Sequence, residues 1–174
     1  DILISSNLER LIYRIAGNDS ELNAKLMAEL AKNGSYTITE EMKEAMKDFA
    51  GGYATEAQTA QEIRTVYEKS GYVLDPHTAV ASYVYHTWKA QNHPTAPAVI
   101  ASTASPFKFA RSVMSAIDSK YDGMEDFSLI DELCRISGVK VPKAVEEIRT
   151  APVLHDKVIE TNEMRQAVKD FLGM

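Results

Sequence analysis

Residues 100–109 read Ile-Ala-Ser-Thr-Ala-Ser-Pro-Phe-Lys-Phe, and how this stretch is read decides the fold. An apolar run, Pro97-Ala-Val-Ile-Ala101, ends abruptly in small and hydroxylated residues, then a proline, then a helical pattern. The spacing predicts a buried strand over 96–101. Pro106 is placed to open a helix with Ala110, Val113, Met114 and Ile117 on its core face. A strand that ends in hydroxyls just before a helix is the kind of place where an open α/β sheet holds ligands.

Two other stretches share this grammar. In "GYVLDPHTAVASY", residues 71–83, Asp75 is a natural N-cap and Pro76 suits the first turn, where its missing N–H costs nothing. A helix then runs through Ala79, Val80, Tyr83, Val84 and Trp88 to about Gln91. In "DILISSNLER", residues 1–10, a strand over 1–5 gives way to Ser6, which pairs with Glu9 as a capping box. Helix N-termini gather unpaired N–H groups, so two such caps, Asp75 and Ser105, could converge on one polar pocket. His77 has two readings, a base or a hydrogen-bonded histidine at a helix start. Lys108 likewise has two, a partner for an anion or a solvated surface lysine. His86 reads as a helix-face residue, and His93 and His155 as loop histidines.

Elsewhere the punctuation is clear. Helices are expected from about Ser20 to Lys32, from Thr39 through Phe49, from a Thr55/Gln58 capping box to Ser70, and over Leu129–Ser137, Pro142–Thr150 and Asn162–Leu172. Composition narrows the function classes. The chain has 174 residues, enough for a sizeable core, with 45% hydrophobic and 25% charged residues. A net charge of −6 argues against a nucleic-acid or anionic-membrane surface. One cysteine, Cys134, excludes an internal disulfide or a cysteine zinc cluster and suits a reducing cytoplasm. No apolar run approaches a membrane span and no metal-ligand pattern is seen. The start at Asp1, inside an apolar stretch, reads like a cut end.

Taken together and in order, "SSNLERL", "GYVLDPHTAVA" and "STASPFKF" resemble the carboxy-terminal half of threonine synthase in its bacterial and fungal form. The resemblance implies an α/β, helix-rich fold of the tryptophan-synthase-β-like class (fold type II). Two or three short strands would pack with about eight helices, the sheet being incomplete in this chain. It implies residues 1–174 as one C-terminal fragment, divided into a helical segment 18–70, a cofactor-wall segment 71–118 and C-terminal helices 119–174. The activity implied is threonine biosynthesis: O-phosphohomoserine and water become threonine and phosphate on pyridoxal 5'-phosphate.

By the same resemblance Thr103 meets the pyridine nitrogen and Asp75 lies close to the ring edge, both as cofactor-binding residues. His77, Ser105 and Lys108 are the substrate-binding candidates. Family members commonly carry histidine where this chain has Ser105. They also carry the Schiff-base lysine and the glycine-rich phosphate loop upstream. With 8 glycines, clustered only at Gly51-Gly52, this chain has neither. No catalytic residue is therefore assigned here, and the chain alone is expected to be inactive and without covalently held cofactor. The implied partners are the missing N-terminal half and, for the isolated chain, further copies of itself. The alternative from a different class is a helical interaction or regulatory domain without catalysis.

Overall fold

The computed structural model describes residues 4–174. Nine α-helices and three short 3₁₀ turns account for the regular structure among these residues, which fall into two compact units, one ending at Tyr53 and one spanning Ala54–Met174.

In the first unit α1 (Ser6–Ile15), α2 (Ser20–Asn33) and α3 (Glu40–Ala45) enclose a small core of Ile12, Leu26 and Met42. The cap of α1 is Ser5, whose hydroxyl accepts from the Leu8 N–H at 3.3 Å, and not Ser6 as expected from the capping box. With two adjacent serines, the earlier one is extended and caps. Glu9 is thereby free to accept from the Asn23 side chain of α2 at 3.2 Å.

The second unit is built on α4 (Glu56–Ser70), α5 (Pro76–Asn92), α6 (Ala110–Ile117) and α7 (Asp126–Ser137). α4 packs against both α5 and α6, and α6 against α7. Their shared core holds Ile63, Val73, Leu74, Ala79, Phe107, Val113, Met114, Leu129 and Leu133. The Thr55/Gln58 capping box forms as the sequence predicts and fixes the start of α4. Arg64 then ties α4 to α6, its Nε donating to the Ala116 carbonyl at 2.8 Å. α7 starts three residues earlier than the apolar spacing suggests, because the Glu125 carboxylate accepts from the Phe127 and Ser128 N–H groups. Beyond it lie α8 (Lys143–Ile148) and α9 (Met164–Leu172). Arg149 joins the end of α8 to Asp131 of α7 at 2.6 Å, and this hydrogen bond holds the Asp131 carboxyl below its ordinary pKa.

Three further expectations are corrected. No strand occurs among the described residues. Residues 96–101 lack regular structure, and Val99 is almost wholly exposed. A strand needs a neighbour to take its ladder hydrogen bonds, and the described part of the chain offers none. The expected strand over 1–5 lies largely outside the described residues. The second correction concerns Ser105-Pro106, which opens only a four-residue 3₁₀ turn, Pro106–Phe109, before α6 begins at Ala110. The buried stripe of α5 is also shifted: Thr78, Ala79 and Ser82 face inward, while Trp88 is partly exposed.

Gly71 is what turns the chain from α4 into the segment that carries the site. Its φ of +71° closes α4 in the left-handed region, and its N–H donates to the Tyr67 carbonyl at 2.8 Å. A Cβ built at Gly71 meets nothing within 4 Å, so only the backbone conformation opposes a side chain there. Gly71→Ala is expected to lower stability by about 1 kcal/mol, read from the midpoint of urea unfolding. A second expectation concerns the surface. Val99, Val153, Leu154, Val158, Phe171 and Leu172 are each more than 60% exposed, and the apolar side of α9 lines an open trough of about 290 Å³. Apolar side chains gathered along one open trough offer a face for association. Light scattering should give a mass above 19.3 kDa at high concentration, with a hydrophobic dye bound. Replacing Val168 and Phe171 together by glutamate should reduce both signals.

Candidate functional site

The centre of the second unit's polar chemistry is the start of α5. Asp75 is 1% exposed and extended, and its Oδ1 accepts from the N–H groups of His77 at 2.9 Å and Thr78 at 3.1 Å. Its other oxygen, Oδ2, accepts from the Thr78 hydroxyl. The Thr78 and Ser102 hydroxyl oxygens are 2.9 Å apart, and Ser102 Oγ stands 3.5 Å from Asp75 Oδ2. A buried carboxylate without donors costs several kcal/mol, so these four contacts explain how Asp75 can sit where it does. The same contacts bring residues 102–103 to the N-terminus of α5, across 24 positions of sequence.

The other sequence candidates fall around this point. Thr103 is exposed beside Ser102, and among the described residues no hydrogen bond engages its hydroxyl. The His77 ring is exposed and meets Phe109 edge-on, with centroids 5.2 Å apart. Ser105 caps the 3₁₀ turn, accepting from the Phe107 N–H at 3.3 Å. Lys108 is exposed, with Nζ 6.0 Å from the Phe109 ring centre. It borders an open cavity of about 410 Å³ together with Phe107, Arg111, Ser112, Asp126 and Ile130. Neither Asp75, His77, Thr103 nor Ser105 lines that cavity. Arg111 is already committed there, donating to the carbonyls of Asp122 and Met124 and to Asp126. A four-residue 3₁₀ turn also lacks the aligned dipoles of a longer helix, which weakens the expected anion contact at Lys108.

A second polar cluster went unread in the sequence. Glu62 of α4 is 8% exposed, and its Oε1 accepts from Ser82 Oγ at 2.6 Å and His86 Nδ1 at 2.9 Å. Ser82 gives its proton to the carboxylate and not to the imidazole, so this is no serine nucleophile. It is a polar clamp between α4 and α5. The available signal was a glutamate on the same helical stripe as Thr59, Ile63 and Val66. For Thr78 the signal was a hydroxyl three residues after a cap.

Likeness to a solved structure points to the class first. The chain superimposes on the pyridoxal-phosphate-bound threonine synthase of Brucella melitensis with a TM-score of 0.58 and 34% identity, over 79% of this chain and 28% of that one. A family model described as threonine synthase, C-terminal, matches residues 78–171. The chain therefore belongs to the threonine synthase C-terminal family. Curated relatives agree. Threonine synthase of Saccharomyces cerevisiae is 35% identical over 157 residues, covering 80% of this chain and 30% of that protein. The Pseudomonas aeruginosa enzyme is 33% identical over 117 residues, or 67% and 24%. Human threonine synthase-like 1 is 38% identical over 121 residues, or 69% and 16%. The chain spans less than a third of the length of each.

Because Asp75 satisfies two helix N–H groups and a buried hydroxyl at once, Asp75→Ala is expected to destabilise the chain by about 2–3 kcal/mol. Asp75→Asn keeps an acceptor for the N–H groups and should cost about half as much. Thermal unfolding of the two variants checks the order.

Proposed function

We propose that this chain supplies the ring-edge side of a pyridoxal-phosphate site in a threonine synthase, an enzyme that converts O-phosphohomoserine and water to threonine and phosphate. It would act with the lysine and the glycine-rich phosphate loop that this sequence does not contain. Membership in the threonine synthase C-terminal family carries the reading. It also favours an enzyme part over a stand-alone interaction domain.

The donor set is what the ring edge would require. Thr103 offers an exposed, neutral hydroxyl beside the N-terminus of α5, while the carboxylate of Asp75 is occupied by His77 and Thr78. Bound pyridoxal phosphate supplies an electron sink through its pyridine ring, and the protein tunes that sink through the partner of the ring nitrogen. A neutral hydroxyl at Thr103 leaves the nitrogen without a formal positive charge, and so keeps the sink moderate. Asp75 then works by holding the backbone that presents Thr103. His77, its ring set against Phe109, shapes one wall of the pocket. Ser105 and Lys108 are the residues of this chain best suited to an anionic substrate group, Lys108 by its charge and Ser105 by fixing the turn that carries it.

Three substitutions at Thr103 in the full-length enzyme test the assignment. Thr103→Ser keeps the hydroxyl and is expected to leave turnover close to its original value. Thr103→Val keeps the shape and removes the hydrogen bond, which should lower turnover about tenfold to a hundredfold with the melting temperature unchanged. Thr103→Asp should favour a protonated ring nitrogen and divert flux into side products. Full turnover in a well-folded Val variant would end the assignment.

A further inference from the structure

We infer that Thr78 and Ser102 are positioning residues, a two-hydroxyl relay that anchors the Thr103 segment to the buried Asp75 carboxylate. The inference rests on the reading of Thr103 as the ring-nitrogen partner, and extends it to residues that make no contact with the ring.

Three observations carry it. Residues 96–104 have no regular structure, and Val99, Ala101, Ser102 and Thr103 are all exposed. Packing alone therefore does little to hold Thr103 in one place. Next to this exposed segment stands the N-terminus of α5, where Asp75, Thr78 and Ala79 are all buried. The only side-chain hydrogen bonds from residues 96–104 among the described residues run from Ser102 to that N-terminus.

Proton counting then gives the direction of the relay. A carboxylate only accepts, so the single Thr78 hydroxyl proton goes to Asp75 Oδ2. The Thr78 oxygen is left as an acceptor, so the proton in the 2.9 Å contact between the two hydroxyls has to come from Ser102. Charge on Asp75 thus polarises Thr78, which in turn binds Ser102 more firmly than a neutral hydroxyl pair would. Thr103 follows Ser102 directly in the chain, so fixing Ser102 sets where the Thr103 hydroxyl stands. A displacement of about 1 Å at a positioning group is enough to reduce turnover by up to about a hundredfold.

Two measurements test this, one of which needs no cofactor. On the 174-residue chain, ¹⁵N order parameters of the Ser102 and Thr103 amides should be near the rigid value of about 0.85, and fall below about 0.6 in Thr78→Val and in Ser102→Ala. Thr78→Ser retains the relay and should stay rigid. Ser102 is exposed, so its alanine variant keeps the fold even if the buried valine at 78 disturbs it. In the full-length enzyme, Ser102→Ala and Thr78→Val should lower kcat about tenfold with KM for O-phosphohomoserine nearly unchanged, and shift the absorbance maximum of bound pyridoxal phosphate. Thr78→Ser should restore both. Order parameters unchanged in both disrupted variants would overturn the anchor. So would a loosened segment with full kcat, provided Thr103→Val is impaired. If Thr103→Val is itself silent, the cofactor reading falls on its own; loosening of 102–103 then upholds the anchor, and rigidity removes it.

Discussion

Burying the Asp75 carboxylate is the constraint around which the second unit is arranged. An ionised group at 1% exposure needs donors on both oxygens, and the chain brings them from two places. Two are N–H groups that any helix start leaves unpaired, so the charge and the helix terminus satisfy each other. The third is the Thr78 hydroxyl of the first turn of α5, and through it the carboxylate reaches Ser102, on a segment with no regular structure of its own. Pro76 adds to this economy by occupying a position whose N–H would have had no partner. The polar requirement of one side chain thus organises a loop that the apolar core does not hold.

The core explains why the cap stands where it does. Gly71 ends α4 in the left-handed region, and Val73 and Leu74 are drawn into the cluster with Ile63, Val113 and Leu133. Asp75 follows at once, so its depth is set by the two apolar residues before it. The face of α5 that meets α4 is made of Thr78, Ala79 and Ser82, small enough for close approach. Glu62 then fills the polar gap farther along, holding Ser82 and His86. Two buried carboxylates, Asp75 with partners on both oxygens and Glu62 with two on Oε1, hold α5 at two points along its length. Removing a partner from either leaves a buried charge short of hydrogen bonds, a larger penalty than the bond itself is worth.

The site candidates divide according to this frame. Thr103 and His77 sit next to the anchored end of α5, with His77 braced by Phe109. Lys108 borders the cavity of Arg111 and Asp126, which Asp75, His77, Thr103 and Ser105 do not line. Ser105 stands between them in sequence but serves chiefly to start the 3₁₀ turn. Polar groups gather at the end of residues 96–103 although no sheet is present among the described residues.

Local chemistry was legible in the sequence by itself. Asp75-Pro76, Thr55 with Gln58 and Thr39 each act within four residues, and each of these N-caps forms as read, although the helix that Thr39 opens ends at Ala45 and not at Phe49. The three motifs also sufficed to point to the family. Tertiary structure decided what depends on distant partners. Residues 96–101 carry a strand's composition but find no neighbour to pair with. Ser5 caps α1 in place of Ser6, leaving Glu9 to reach Asn23 of α2. The Ser102–Thr78 and Glu62–His86 contacts each span 24 positions, and no spacing rule of a single helix or strand reaches that far. A cap is satisfied by its own turn, so its residues announce it. A hydrogen bond between elements exists only once the core has brought those elements together.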